Sequence, residues 1–132
     1  AYASKIVASA VNDSCVGVRL EVDGVHVVLC SIYLADSGKS DEAFETSISD
    51  VDSILPQLSG VVRGHNVAAC LVGGDANIEV QHDEHTVGPG CSGNLSNFRP
   101  HREFLLRSLA HKWNLAWTST WTLDADDWTI EG

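Results

Sequence analysis

Val67-Ala68-Ala69-Cys70-Leu71-Val72-Gly73-Gly74-Asp75-Ala76-Asn77 organises the reading of this chain. Residues 67 to 72 form an apolar run of strand length, and two glycines close it. A short apolar run bounded by turn residues reads as a buried strand, a rigid base for whatever follows. The glycines permit a tight exit and the close approach of another group. Asp75 and Asn77 stand two positions apart, so at an extended strand end their side chains leave on the same side. A carboxylate and a carboxamide converging on one point suit a hard cation such as Mg²⁺ together with a phosphate oxygen. The same residue types also suit a strand that simply ends in a polar turn, and the spacing alone leaves both readings open.

Upstream, residues 15 to 22 alternate towards their end as a half-buried strand does, and Asp23-Gly24 follows, a dipeptide that accepts positive φ. Residues 25 to 34 complete a hairpin, with an earlier strand expected over 5 to 11. Ser40 reads as a helix N-cap, with Asp41, Glu42 and Glu45 in the first turns. Phe44, Ile48, Val51, Leu55 and Leu58 then recur at helical spacing, and Pro56 is expected to end or bend the helix near residue 55. Beyond the central strand comes a polar, Gly-rich loop over residues 82 to 99. Pro100 starts a second helix whose core side is assigned to Phe104, Leu105, Leu106, Leu109 and Trp113. A last strand is expected over residues 115 to 122. Strands alternating with helices in the order β-β-α-β-α-β define a layered α/β domain.

Composition narrows the partners. Eighteen acids against eight Lys and Arg give a net charge of −10, which argues against a strong stand-alone nucleic-acid-binding module. Four of the eight bases, Arg99, Arg102, Arg107 and Lys112, fall in one stretch. Arg99 and Arg102 read as a solvated helix start, with contact to a phosphate backbone as the alternative. Cys15, Cys30, Cys70 and Cys91 are widely spaced and form no Cys-x-x-Cys pair, so they read as reduced thiols of an intracellular protein. His82, Asp83, Glu84 and His85 read as a solvated loop, His26 as a strand-surface residue, and the four tryptophans as packing residues. No apolar run approaches the roughly 20 residues that span a bilayer. The chain has no Met and starts at Ala1, and it is expected to be a piece of a longer protein.

Two segments taken together point to a family. Ser31-Ile32-Tyr33-Leu34-Ala35-Asp36-Ser37-Gly38-Lys39 closes the hairpin, a helix follows, and Gly73-Gly74-Asp75-Ala76-Asn77 closes the next strand. A Gly-rich loop with Asn94 and Asn97, a Leu-rich helix and a Thr-Trp segment come after. This succession resembles the endonuclease/exonuclease/phosphatase family, and most of all the endonuclease domain of LINE-type (non-LTR) retrotransposons. The resemblance implies a four-layer α/β sandwich, with residues 1–132 as a single, partial domain of that type. It implies Mg²⁺ (or Mn²⁺) as cofactor and hydrolysis of a phosphodiester, with DNA bound through its phosphate backbone. A reverse transcriptase in the same parent polypeptide and a nuclear location are further implications.

By position, Tyr33 matches the tyrosine that contacts the scissile phosphate. Asp75 matches the acid that orients or deprotonates the attacking water and shares the metal, and Asn77 the amide that binds phosphate. Lys39, in the loop after Tyr33, is the best basic candidate for a further phosphate contact. In-line attack on a phosphodiester needs a base for the proton of water and positive charge for the developing oxyanion, and these residue types supply or recruit both.

Departures from the family pattern are as informative. Ala35 stands where the family usually has Pro, and Asp36 where it often has Asn. The family's upstream metal-binding Glu and its terminal Asp-His pair find no match in the chain, and neither Glu21 nor Glu79 is promoted to that role. The fragment by itself is therefore expected to be inactive. Two rival readings are carried: a non-catalytic relic or binding domain that keeps the fold, and a phosphatase of small phosphoesters, which net negative charge suits better than duplex DNA.

Overall fold

Alternating strands and one left-handed dipeptide build the antiparallel part of the sheet. The computed structural model describes residues 4–78 and 99–116. Strand β1 (Ser4–Val11) pairs antiparallel with β2 (Cys15–Val22), with a register shift between Ile6 and Ala8. Asp23 at φ 50° and Gly24 at φ 80° then turn the chain into β3 (Val25–Tyr33), antiparallel to β2. Positive φ at both central residues matches the right-handed twist of the flanking strands. Helix α1 (Asp41–Ser59) crosses over to β4 (Val67–Asp75), which lies parallel to β3. The result is a mixed four-stranded sheet in the order β1-β2-β3-β4. It belongs to the first of two compact units, Ala1–Asn77, while helix α2 (Pro100–Lys112) belongs to the second, Ile78–Gly132.

Helix α1 covers one face of the sheet. Phe44, Val51, Ile54, Leu55 and Leu58 from the helix, and Cys15, Val28, Cys30 and Leu34 from the sheet side, are buried together as the core of this unit. Gly17 permits the close approach, because a Cβ there would stand 2.5 Å from Leu58 Cδ1 and 2.8 Å from Cys30 Sγ. The opposite face is open: Val28 is fully buried, whereas its neighbour Leu29 is 37 % exposed. Ile6, Val11, Val16 and Leu71 are also exposed, and the register places them on Leu29's face.

Ser40 caps α1 as expected, its hydroxyl accepting from the Ala43 N–H at 3.1 Å. Pro56 does not end the helix, which runs through it to Ser59. Leu55 and Leu58 are both buried, and their burial outweighs the loss of one intrahelical hydrogen bond. The central strand runs on past Val72 to Asp75, so both glycines and the acid lie within it.

In α2 the buried residues are Arg102, Glu103, Leu106, Leu109 and Ala110, and Phe104 is 63 % exposed. Leu106 and Leu109 are buried as expected, but Arg102, Glu103 and Ala110 complete the buried stripe in place of Phe104, Leu105 and Trp113. Arg102 is buried and does not form a solvated helix start. Glu103 is paired with Arg107 one turn on, which satisfies a buried carboxylate. Asn114, at φ 54°, ends the helix, with the Leu115 N–H donating to the Ala110 carbonyl at 2.8 Å. Trp113 is half-buried at the cap, with Lys112 Nζ 5.7 Å from its ring centroid. Leu115 and Ala116 are not in a strand. The remainder of that expected strand, the Gly-rich loop up to residue 98 and Cys91 lie outside the described residues. Among the described residues, no helix is long and apolar enough to cross a membrane.

Candidate functional site

The parallel β3–β4 pair brings two distant segments to one strand end. Tyr33 and Asp75 are register partners. Partner residues in neighbouring strands are about 4.8 Å apart at Cα and project to the same face. That face is the open one, where Tyr33 is 59 % exposed and Asp75 is also exposed. The helix between the segments makes this possible, since a parallel pair needs a crossover.

Beyond the strand ends the chain is stapled by three hydrogen bonds. Leu34 N–H donates to the Asp75 carbonyl at 3.0 Å. Asn77 donates its backbone N–H to Asp75 Oδ1 at 2.9 Å and its side-chain Nδ2 to the Leu34 carbonyl at 2.8 Å. Asn77 adopts φ 50°, a left-handed conformation that Asn tolerates better than most residues. Gly74 makes the exit possible. Its φ is 124°, and a Cβ there would overlap the Ile32 carbonyl. Gly73 meets no such contact, so of the two glycines only Gly74 is sterically required.

Helix α1 holds the same strand end by two tethers. Buried Ser47 accepts from the Ala35 N–H at 3.2 Å and donates to the Phe44 carbonyl at 2.7 Å. Asp50 accepts from the Ser14 hydroxyl at 2.7 Å, and the Ser14 carbonyl in turn accepts from the Tyr33 N–H at 2.9 Å. Asn12 adds a donor to the Asp50 carbonyl at 2.8 Å, and its Oδ1 caps the Ser14 and Cys15 N–H groups. Ser47 and Asp50 are one helical turn apart, so one face of α1 positions both chains that flank the site.

Tyr33, Asp75 and Asn77 are therefore brought together. Lys39 lies in the exposed turn after β3, where its N–H donates to the Asp36 carbonyl at 3.1 Å. Asp36 Oδ1 accepts from the Gly38 N–H at 2.8 Å, so this carboxylate shapes the turn. Sequence reading did not single out Ser47, which stands in a polar stretch of the helix, Glu45-Thr46-Ser47-Ile48-Ser49-Asp50.

The far end of the β3–β4 pair is built differently. His26, expected on the strand surface, is buried on the α1 face. Its Nδ1 accepts from Arg19 Nε at 2.9 Å, and its ring stacks on His65 at 4.8 Å between centroids. Arg19 is itself buried and donates to the Leu58, Gly60 and His65 carbonyls. Burial, reinforced by Arg19 and His65, lowers the His26 pKa; Glu21 opposes that and Lys5 adds to it slightly. Burial also pushes the Cys30 thiol up to about 12 and Cys70 up to about 11, and raises Cys15, the profile of unreactive core thiols.

A metal at the Tyr33 end would rely on Asp75 with Asn77 Oδ1. Among the described residues Asp75 Oδ2 takes no hydrogen bond, so one carboxylate oxygen is available. One or two carboxylates and several waters suffice for Mg²⁺, so the donor set fits a partial site. Among the described residues no three His, Cys, Asp or Glu side chains gather to hold an ion. No family model, curated protein or solved structure matches the chain.

Proposed function

We propose that this chain carries the strand-end part of a Mg²⁺-dependent phosphodiesterase site, of the endonuclease/exonuclease/phosphatase type and resembling that of retrotransposon endonucleases. The observation that carries the reading is the register pairing of Tyr33 with Asp75, with Asn77 clasped to both strand exits. In this reading Asp75 receives the proton of the attacking water or orients it, and holds the ion through its outward oxygen. The Tyr33 hydroxyl and the second N–H of the Asn77 carboxamide donate to non-bridging phosphate oxygens. Lys39 adds a positive charge for the phosphate backbone. The ion, when bound, supplies charge for the developing oxyanion.

The finer fold proposal follows from the sheet. Its open face exposes Ile6, Val11, Val16, Leu29 and Leu71, a run of apolar surface that a layered domain covers. A second sheet packed there gives the four-layer sandwich. DNA is the proposed substrate, a reverse transcriptase the proposed neighbour in the parent polypeptide, and the nucleus the proposed location.

The net charge of −10 favours one second reading, a phosphatase of small phosphoesters. Titration of the chain with Mn²⁺, followed by paramagnetic broadening of amide resonances, tests the site. Broadening centred on Tyr33, Asp75 and Asn77 and lost in Asp75→Asn supports it, and broadening confined to other acids refutes it. Phosphomonoester turnover without plasmid nicking would select the phosphatase reading.

A further inference from the structure

The strand end holds its reactive groups through backbone and not through side-chain packing, and one buried hydroxyl anchors that backbone. Ser47 is 5 % exposed on the inner face of α1. Its oxygen is fixed by donation to the Phe44 carbonyl and so presents a lone pair to the Ala35 N–H. That bond holds the Leu34–Ala35 peptide, whose carbonyl belongs to Leu34. The Leu34 carbonyl is the acceptor for Asn77 Nδ2, and Asn77's own N–H holds Asp75 Oδ1. A continuous path therefore runs from a helix hydroxyl, through one peptide plane and one carboxamide, to the carboxylate.

We infer that Ser47 and Asn77 are positioning residues that aim the Asp75 carboxylate at a divalent cation, an inference that rests on the metal-site reading above. Asn77 then acts first as a clasp and only secondarily as a phosphate ligand, because one of its two amide hydrogens is committed to Leu34. The physical need is clear at this position. Leu34 follows the last strand residue, and beyond it the sheet ladder no longer fixes the chain. Without Ser47, the Leu34–Ala35 peptide loses the acceptor that fixes its N–H, and the hold on Asn77 through the Leu34 carbonyl weakens with it.

The test uses the 132-residue chain, Mn²⁺ as the probe, and two readouts: calorimetric affinity and the exchange rate of the Ala35 amide, whose N–H donates to Ser47. Ser47→Ala should weaken Mn²⁺ binding about tenfold, as loss of a partner behind a metal ligand does, and speed Ala35 exchange. Ser47→Thr, which keeps the hydroxyl, should recover most of the affinity. Asn77→Gly keeps the left-handed turn and the N–H to Asp75 but removes the clasp, and should also weaken binding about tenfold. It lies at an exposed strand end, so it remains informative if Ser47→Ala fails to fold. Asp75→Asn is the control. If it abolishes binding while Ser47→Ala and Asn77→Gly stay within twofold of the parent, the positioning role is overturned and the metal site stands. If Asp75→Asn binds Mn²⁺ as the parent does, the metal site falls and the positioning role falls with it.

Discussion

The two ends of the β3–β4 pair are held by opposite means. At the Val25 end a buried cation, Arg19, gathers three backbone carbonyls and a neutral His26. At the Tyr33 end an exposed carboxylate, Asp75, accepts from the Asn77 N–H, while the Asn77 amide clasps the Leu34 carbonyl and the Leu34 N–H donates to the Asp75 carbonyl. The first arrangement buries a guanidinium and satisfies it, with His26 Nε2 left without a hydrogen bond among the described residues, so it serves stability. The second leaves one carboxyl oxygen without a hydrogen bond among the described residues, on an exposed strand end, which costs packing and suits chemistry. Helix α1 links them: Arg19 takes carbonyls at its C-terminal end, and Ser47 and Asp50 reach the other end from its middle.

The comparison breaks hardest at Arg19. Arg19→Ala leaves the Leu58, Gly60 and His65 carbonyls without their donor and opens a cavity beneath α1. Loss of about 3–5 kcal/mol is expected, read from urea unfolding. A loss under about 1 kcal/mol would show that water replaces the guanidinium and that this end is not a buried lock. Gly74→Ala is next, at roughly 3 kcal/mol, because φ 124° excludes a side chain and the Cβ overlaps the Ile32 carbonyl. Gly73→Ala, with open space around it, should cost well under half as much by the same measurement. Equal effects at the two glycines would remove the steric argument for the strand exit.

Helix α1 repeats the contrast on a smaller scale. Its C-terminal end is clamped from within by Arg19, and its N-terminal end is capped from outside by Ser40. Ser40→Ala should therefore cost only about 1 kcal/mol in the same unfolding experiment. A cost comparable with that of Arg19→Ala would mean that both ends of the helix are locked alike.

What could be read in advance follows the range of the forces involved. Asp23-Gly24 and Ser40 are local: a dipeptide's tolerance of positive φ and a hydroxyl three residues from an N–H act within one turn of chain, and both are observed as expected. The meeting of Tyr33 with Asp75 was expected from the family resemblance, and the helical crossover between the two segments permits the parallel pairing that brings it about. His26 and Ser47 were not legible. Each is polar and sits where polar side chains usually face water, and each is buried because of a partner on another strand or loop: Arg19 for His26, the Ala35 N–H for Ser47. Arg102 and Glu103 in α2 failed for a related reason. Counting only apolar residues found Leu106 and Leu109 but left out the charged part of the buried stripe, where the Glu103–Arg107 pair lets Glu103 go inside.

The smallest effect at neutral pH, and the one that separates the two ends most cleanly, is protonation of His26. Arg19 Nε donates to His26 Nδ1, so that nitrogen must be unprotonated. Burial, Arg19 and His65 all disfavour the charged ring, Glu21 at 3.6 Å from Nε2 favours it, and Lys5, paired with Glu21 at 3.4 Å, weakens that help. The folded pKa therefore lies below the ordinary 6.5. The folded state binds fewer protons than the unfolded chain below that value, so His26's share of stability is complete above pH 6.5 and is lost as pH falls through the lower, folded pKa. His26→Asn keeps an acceptor for Arg19 Nε and cannot titrate in this range. Unfolding midpoints measured from pH 7.5 down to pH 5 should fall more steeply for the parent than for His26→Asn, with the difference opening below pH 6.5. Parallel slopes would mean that His26 titrates alike in both states, and the Val25 end would then be no more a buried lock than the exposed Asp75 end.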